Sequence, residues 1–200
     1  MGDHYFTPHP QSARKLERFE AILRGQKLVF YTDRGVFSRR QVDFGTWLLT
    51  ESIALPSACS VLDVGCGYGP IGLALAKESK SRQVTMVDIN ERAVELARLN
   101  AQANGLAHVR CLVSDLLREL KGERFEAIVS NPPIRAGKEV VYRLFEESAQ
   151  ALKPGGSLWV VIQKKQGAPS ALKKLESLFA SVQTVVRKKG YYVFQARHNI

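Results

Sequence analysis

Two hundred residues with a formal net charge of +10 suit one domain with a sizeable core. The three cysteines, Cys59, Cys66 and Cys111, form no CxxC pair, and nothing resembles a secretory leader. This excludes a disulfide scaffold and a cysteine zinc site, and it points to a reducing, cytoplasmic setting.

No apolar stretch approaches the length of a membrane span. The four histidines, His4, His9, His108 and His198, have no metal-ligand spacing, so no metal site is expected. The charge is uneven: residues 1–40 sum to +4, residues 41–152 to −2 and residues 153–200 to +8. A basic excess at both ends favours a polyanionic partner, nucleic acid ahead of an anionic membrane, against the plainer reading of solubility alone.

In chain order, Lys27–Tyr31, Thr32–Gly35 and Val36–Phe37 suggest a hairpin. Asp43 to Ile53 suggests a helix that Asp43 could cap. These elements make residues 1–58 a short appendage on a single α/β domain, residues 59–200. In that domain short β-branched runs alternate with helical periods. Strands are expected at 60–64, 83–88, 109–113, 125–130 and 158–163, and helices at 69–78, 91–103 and 170–179. Lys153-Pro-Gly-Gly156 reads as a turn before the fifth strand. Strands separated by helices predict parallel pairing and a doubly wound, Rossmann-like sheet. The last two strands, 182–186 and 191–196, are joined at Lys188-Lys-Gly190, short enough for an antiparallel hairpin.

Asp63-Val-Gly65-Cys-Gly67-Tyr-Gly69 follows a strand and opens a helix. Such glycines let the backbone turn sharply and admit a ligand close to it. Alone they read as well as a tight turn. Asp88 ends the second strand about 20 residues on, where a carboxylate can accept both hydroxyls of a ribose and repel a 2′-phosphate. Asp63 repels a pyrophosphate at the helix N-terminus but tolerates a cationic sulfonium with an amino-acid tail. Ser114-Asp115 follows the third strand, placed to meet an adenine amino edge. Together they select S-adenosylmethionine over a nicotinamide dinucleotide, with Cys66 as a small residue beneath it.

Ser130-Asn131-Pro132-Pro133-Ile134 ends the fourth strand. Adjacent prolines are ordinary strand breakers, but their place beside the glycine loop suggests chemistry. A planar exocyclic amine is a poor nucleophile because its lone pair is delocalised into the ring. Two acceptors that fix its two protons would aim that lone pair. Asn131 offers a neutral side-chain carbonyl. Pro132 offers a backbone carbonyl with locked φ, and Pro133 restricts Pro132 in turn.

"VLDVGCGYGPIG" resembles the first motif of the class I S-adenosylmethionine-dependent methyltransferases, and "MVDIN", with Asp88 and Ile89, the second. "SNPPIRAGK" resembles the (Asp/Asn)-Pro-Pro motif of the amine-methylating branch. "GVFSRRQVDFGTWLL" resembles the segment before the fold in small-subunit ribosomal RNA guanine-N2 methyltransferases and their single-domain relatives. The resemblance implies a seven-stranded sheet with an antiparallel last strand, an RNA substrate and guanine N2 as the methylated atom.

Ile134 stands where adenine-methylating relatives carry Tyr or Phe. It can cover a base face but stacks less well, which weakens adenine N6 as the target. A glutamine amide in a protein factor remains open, since that branch shares Asn-Pro-Pro. Lys164 and Lys165, at the end of the fifth strand, and Arg135 and Lys138, around the acceptor motif, are candidate phosphate contacts. Arg39-Arg40 and Arg187-Lys-Lys189 could extend that track. Tyr191, Tyr192 and Phe194 read as strand residues more than as stacking platforms.

Overall fold

A computed structural model of the chain describes residues 16–33 and 41–199, with Arg135 in its backbone alone. β1 (Glu17–Leu23) and β2 (Gln26–Thr32) pair antiparallel. Phe19, Ala21 and Leu23 alternate with exposed Arg18, Glu20 and Ile22, the period of a half-buried strand. Their turn, Arg24-Gly25, has positive φ at both residues, 52° and 70°, which matches the twist of a two-residue hairpin. The strand expected at 27–31 therefore forms, and it pairs with an upstream strand. Val36-Phe37, the expected partner, lies outside the described residues, as do Arg39, Arg40, His4 and His9. α1 (Phe44–Ser52) follows, and Asp43 caps it by accepting from Thr46 N at 3.1 Å.

The remaining elements are β3 (Ser60–Val64), α2 (Pro70–Glu78), β4 (Gln83–Asp88), α3 (Glu91–Ala103), β5 (Arg110–Val113), β6 (Phe125–Ser130), α4 (Lys138–Ala151), β7 (Leu152–Gln163), α5 (Ala168–Leu178), β8 (Ser181–Lys188) and β9 (Tyr191–Arg197). One seven-stranded sheet has the order β5-β4-β3-β6-β7-β9-β8. β9 alone runs against the others, between β7 and β8. The doubly wound sheet with an antiparallel last strand is thus confirmed.

One local expectation is corrected. Lys153–Gly156 is not a turn ahead of the strand, because β7 already begins at Leu152. Leu152 pairs with Phe125 and Ser157 with Ala127, so the intervening residues bulge within the strand. The C-terminus holds the bulge: Gly155 N donates to Asn199 O and His198 N to Gly156 O.

Side chains alternate across the sheet. Val61, Met86, Val129, Trp159 and Val161 face one layer, with the hairpin, α1, α2 and α3. Leu62, Val87, Ile128, Val160 and Phe194 face the other, with α4 and α5. Two asparagines bind the hairpin to this body. Asn100 on α3 accepts from Tyr31 N at 2.7 Å and donates to Tyr31 O and Tyr68 O. Asn104 accepts from Val29 N at 2.9 Å and donates to Val29 O. Four residues apart, they share one helix face and meet alternate residues of β2.

Candidate cofactor and acceptor site

The strand order reverses between β4 and β6 on either side of β3, and in open α/β sheets ligands bind beyond the strand ends at such a point. The glycine loop lies there. Gly65 N and Cys66 N both donate to Val87 O, at 2.8 and 2.9 Å, and pin the loop onto β4. Gly65, Gly67 and Gly69 have φ of 70°, 58° and 98°, a region open to glycine without strain. Gly72 meets a different need: a Cβ there would fall 2.5 Å from Met86 Sδ. Its bareness lets α2 approach closely enough for Gly72 N to reach Asp63 Oδ2 at 2.9 Å.

Asp63 is fully buried, and its second oxygen, Oδ1, has no partner. Burial pushes its carboxyl up to about 7, against the Gly72 N–H and with the charge of Asp88 adding to the rise. An orphaned carboxylate oxygen beside a glycine loop fits the cationic amino-acid end of S-adenosylmethionine. Asp88 is buried at the end of β4 and accepts from Gly67 N and Asn90 N, both at 2.9 Å. A carboxylate has about four acceptor positions, more than these two backbone donors fill. Ile89 follows it, half-buried. Cys66 is buried, and desolvation, with the charges of Asp88 and Asp63, raises its thiol well above the usual range. It is an inert packing group.

Ser114 N donates to Asp88 O, which brings the end of β5 beside β4. The Ser114 hydroxyl serves the following turn, donating to Leu116 O and accepting from Glu119 N. Asp115 is partly exposed and pairs with Arg143 of α4.

Asn131 follows β6, half-buried, and its Nδ2 donates to Thr46 Oγ1 at 2.9 Å. The Asn131 amide is thereby oriented by its nitrogen. Ser130 Oγ donates to Val64 O at 2.7 Å and ties the end of β6 to β3. Pro133, at φ −74° and ψ 76°, makes an inverse γ-turn in which Ile134 N donates to Pro132 O at 2.8 Å. One lone pair of the Pro132 carbonyl is thus already engaged, and a carbonyl oxygen has two.

Beside the motif, a cavity of about 260 Å³ opens between Ile134, Lys138, Tyr142, Ile162 and Gly167. Lys138 Nζ rests 5.0 Å from the Tyr142 ring centroid. Lys164 and Lys165 form an exposed single turn at the end of β7. The structure therefore gathers the loop, Asp63, Asp88, Ser114, Asn131 and Pro132 at one edge. Asp115 is turned toward Arg143, and the Arg135 side chain lies outside what is described. Sequence reasoning missed Thr46. It lies 85 residues from Asn131 and carries no local mark beyond its place in a capped helix. No cluster of metal-ligating side chains occurs among the described residues, and none of their helices is long and apolar enough to cross a membrane.

A sheet of this order, with its last strand reversed and its glycine loop at the switch point, defines the class I S-adenosylmethionine-dependent methyltransferases. Comparison with known proteins agrees and is narrower. Residues 27–195 match the methyltransferase small domain family, and the chain belongs to it. It is 49% identical over 199 residues to the uncharacterized protein YbxB of Bacillus subtilis, covering 98% of this chain and 99% of that one. It is 32% identical to ribosomal RNA small subunit methyltransferase C of Haemophilus influenzae, covering 86% of this chain and 52% of that protein. It is 29% identical to ribosomal RNA large subunit methyltransferase G of Aeromonas salmonicida, covering 87% and 47%. The chain thus spans about half the length of these ribosomal RNA methyltransferases. The Thermus thermophilus 16S rRNA N2 G1207 methyltransferase (RsmC), solved with AdoMet and guanosine, superposes with a TM-score of 0.82 at 29% identity, covering 95% of this chain and 52% of that one.

Proposed function

We propose that the chain methylates an exocyclic amine of a base in RNA, guanine N2 of small-subunit ribosomal RNA being the reading its relatives support best. The observation that carries it is the Asn131 amide at the end of β6, whose nitrogen is held by Thr46, which leaves its carbonyl to accept a proton of the target amine. Asp63, Gly65, Cys66, Gly67, Gly69, Asp88, Ile89, Ser114 and Asp115 would hold S-adenosylmethionine, which when bound supplies an electrophilic methyl group on a sulfonium. Asn131 Oδ1 accepts one proton of the target amine, and the second lone pair of Pro132 O accepts the other. With both protons fixed, the nitrogen lone pair is aimed and the amine becomes more tetrahedral. No strong base is required, since the methylated amine is acidic and loses its proton to solvent.

Pro133 and Ile134 wall the base, and Lys138, Lys164, Lys165 and Arg135 hold phosphates. The excess of basic over acidic residues after residue 152 supports RNA over a protein glutamine. In this reading residues 59–200 are the catalytic domain, the 1–58 appendage supplies Thr46, and the enzyme works in the cytoplasm.

The test is labelled-methyl transfer to ribosomal RNA and to total protein from cells lacking the gene, followed by mapping of the modified nucleotide. Label at guanine N2 supports the proposal, and label only at adenine N6 or in protein overturns it. Asn131→Ala should lower transfer about 10²- to 10³-fold, the loss of one preorganised transition-state hydrogen bond, with cofactor binding retained. Transfer at the parental rate would make Asn-Pro-Pro a mere strand stop.

A further inference from the structure

Beyond the acceptor motif, the same edge of the sheet carries a cluster that the proposed chemistry does not use. Phe44 and Trp47, in the first turn of α1, lie with ring centroids 5.6 Å apart and planes tilted by 33°. Tyr191, the first residue of β9, meets Phe44 at 5.6 Å. All three rings are half-buried. Their seat is close: a Cβ on Gly45 would fall 2.9 Å from Tyr191 Cε1, so the bare glycine lets that ring lie against α1 where a side chain would make it shift. Lys188 Nζ stands 5.6 Å from the Trp47 centroid, and Lys189 Nζ 4.8 Å from that of Phe44.

The cluster adjoins the candidate site. Tyr191 pairs with Gln163 at the end of β7, next to β6 and Asn131. Lys164 N donates to Gly190 O at 2.7 Å, so Lys164 and Lys165 run into the hairpin lysines. Thr46, which holds Asn131, lies between Phe44 and Trp47 in the sequence. No acidic residue follows Glu176. Asp43, the acid beside the first turn of α1, is engaged in capping Thr46 N.

We propose that the first turn of α1 and the β8–β9 hairpin form a stacking seat for an unpaired base of the RNA strand beside the target nucleotide, with Lys188 and Lys189 on its phosphates. Aromatic faces accept any base, and adjacent cations follow the backbone, the two elements of single-strand binding. Among the described residues the two ammonium groups, 4.8 and 5.6 Å from half-buried rings, are held by weak cation–π contacts alone and can exchange them for a phosphate. A duplex, whose bases are already stacked, gains nothing from the rings. The proposal rests on RNA as the substrate of the neighbouring site.

Trp47 supplies the probe, because the other tryptophan, Trp159, is buried in the sheet. Oligo-adenylate of about twelve nucleotides should quench Trp47 emission on titration, and oligo-adenylate·oligo-uridylate duplex of equal length should not. Phe44→Ala should weaken oligo-adenylate binding about five- to 100-fold. Lys188→Gln with Lys189→Gln, both exposed and safe for folding, should make the salt dependence shallower by about 1.4 units of slope, two single-strand phosphates. Affinity for S-adenosylmethionine should not change in the lysine variant. Unquenched emission at saturating RNA, equal binding of duplex and single strand, or an unchanged salt slope each overturns the seat. So does methylation of ribosomal RNA with unchanged KM in the lysine variant. Quenching by oligo-adenylate without methyl transfer to any RNA would uphold the seat and sink the substrate reading instead.

Discussion

Asn131 Nδ2 donates to Thr46 Oγ1 at 2.9 Å across 85 residues of chain, so an α1 side chain fixes which end of the amide faces α1. Thr46 is buried, and its own N–H is held by Asp43. Thr46→Val keeps the shape and removes the acceptor, which frees the amide to rotate. Methyl transfer under single turnover should fall about five- to tenfold, the scale of one hydrogen bond of ~1 kcal/mol, with cofactor affinity intact. Thr46→Ser should restore most of the rate. Equal rates for the valine variant and the parent would show that α1 does not orient Asn131.

Asp63 predicts a pH dependence. Burial raises its carboxyl from an ordinary value near 3.8 to about 7. Between those values the folded state holds a proton that the unfolded chain has lost, so this group's contribution to stability is fully present below about pH 4 and falls as pH rises to about 7. A cation placed against Oδ1 favours the charged form. S-adenosylmethionine binding should therefore release protons at about pH 6 and tighten as pH rises from about 6 to 8. Asp63→Asn should flatten both effects. Calorimetric titration in buffers of different ionisation enthalpy reads the protons directly, and no release at about pH 6 would remove Asp63 from contact with the cationic end.

Asp88 serves two tasks, and its replacement should show both. Asp88→Ala removes the acceptor for Gly67 N and Asn90 N, so the loop loosens and thermal stability drops. It also removes charge-assisted bonds to the ribose hydroxyls, worth about 1.5–3 kcal/mol each, and cofactor affinity should fall at least tenfold. Asp88→Asn, which can still accept from one backbone N–H, separates the two: most stability should return while affinity stays low. Parental affinity in both variants would place the ribose elsewhere.

The hairpin's attachment predicts a measurable loss of stability. Asn100→Ala would leave Tyr31 N–H, Tyr31 C=O and Tyr68 C=O without their amide partner. Stranded buried groups of this kind cost about 1–3 kcal/mol each, partly relieved by water, so a loss of about 2–4 kcal/mol in urea unfolding is expected. A loss below about 1 kcal/mol would mean that α3 does not hold β2.

Local pattern made most of the sheet legible. Ser60–Val64, Gln83–Asp88 and Phe125–Ser130 are bounded by turn residues and rich in β-branched side chains, and α3 announces its face through Ala93, Leu96, Ala97 and Asn100. The first hairpin was legible only in part. β1 is charged on its outer face, and Arg24-Gly25 is a weaker turn signal than the later Asp33-Arg-Gly35. The bulge at Lys153–Gly156 escaped because Pro-Gly-Gly marks a departure from regular pairing without saying whether the strand resumes on the same partner. The conformation of the site was harder. The sequence names Asn131 and Pro132, but the Thr46 contact and the γ-turn at Pro133 depend on packing between distant segments.

The paired amides of Asn100 and Asn104 have an effect beyond anchoring. A two-stranded sheet has an outer margin whose free N–H and C=O groups can recruit a strand from another molecule and so seed aggregates. On β2 that margin is closed at Val29 and Tyr31 by helix side chains that imitate a neighbouring strand. The chain thus keeps the short hairpin that completes one face of its core without offering β2 as a template to its own copies in a crowded cell. Losing these amides would expose the chain to self-association as well as unfolding.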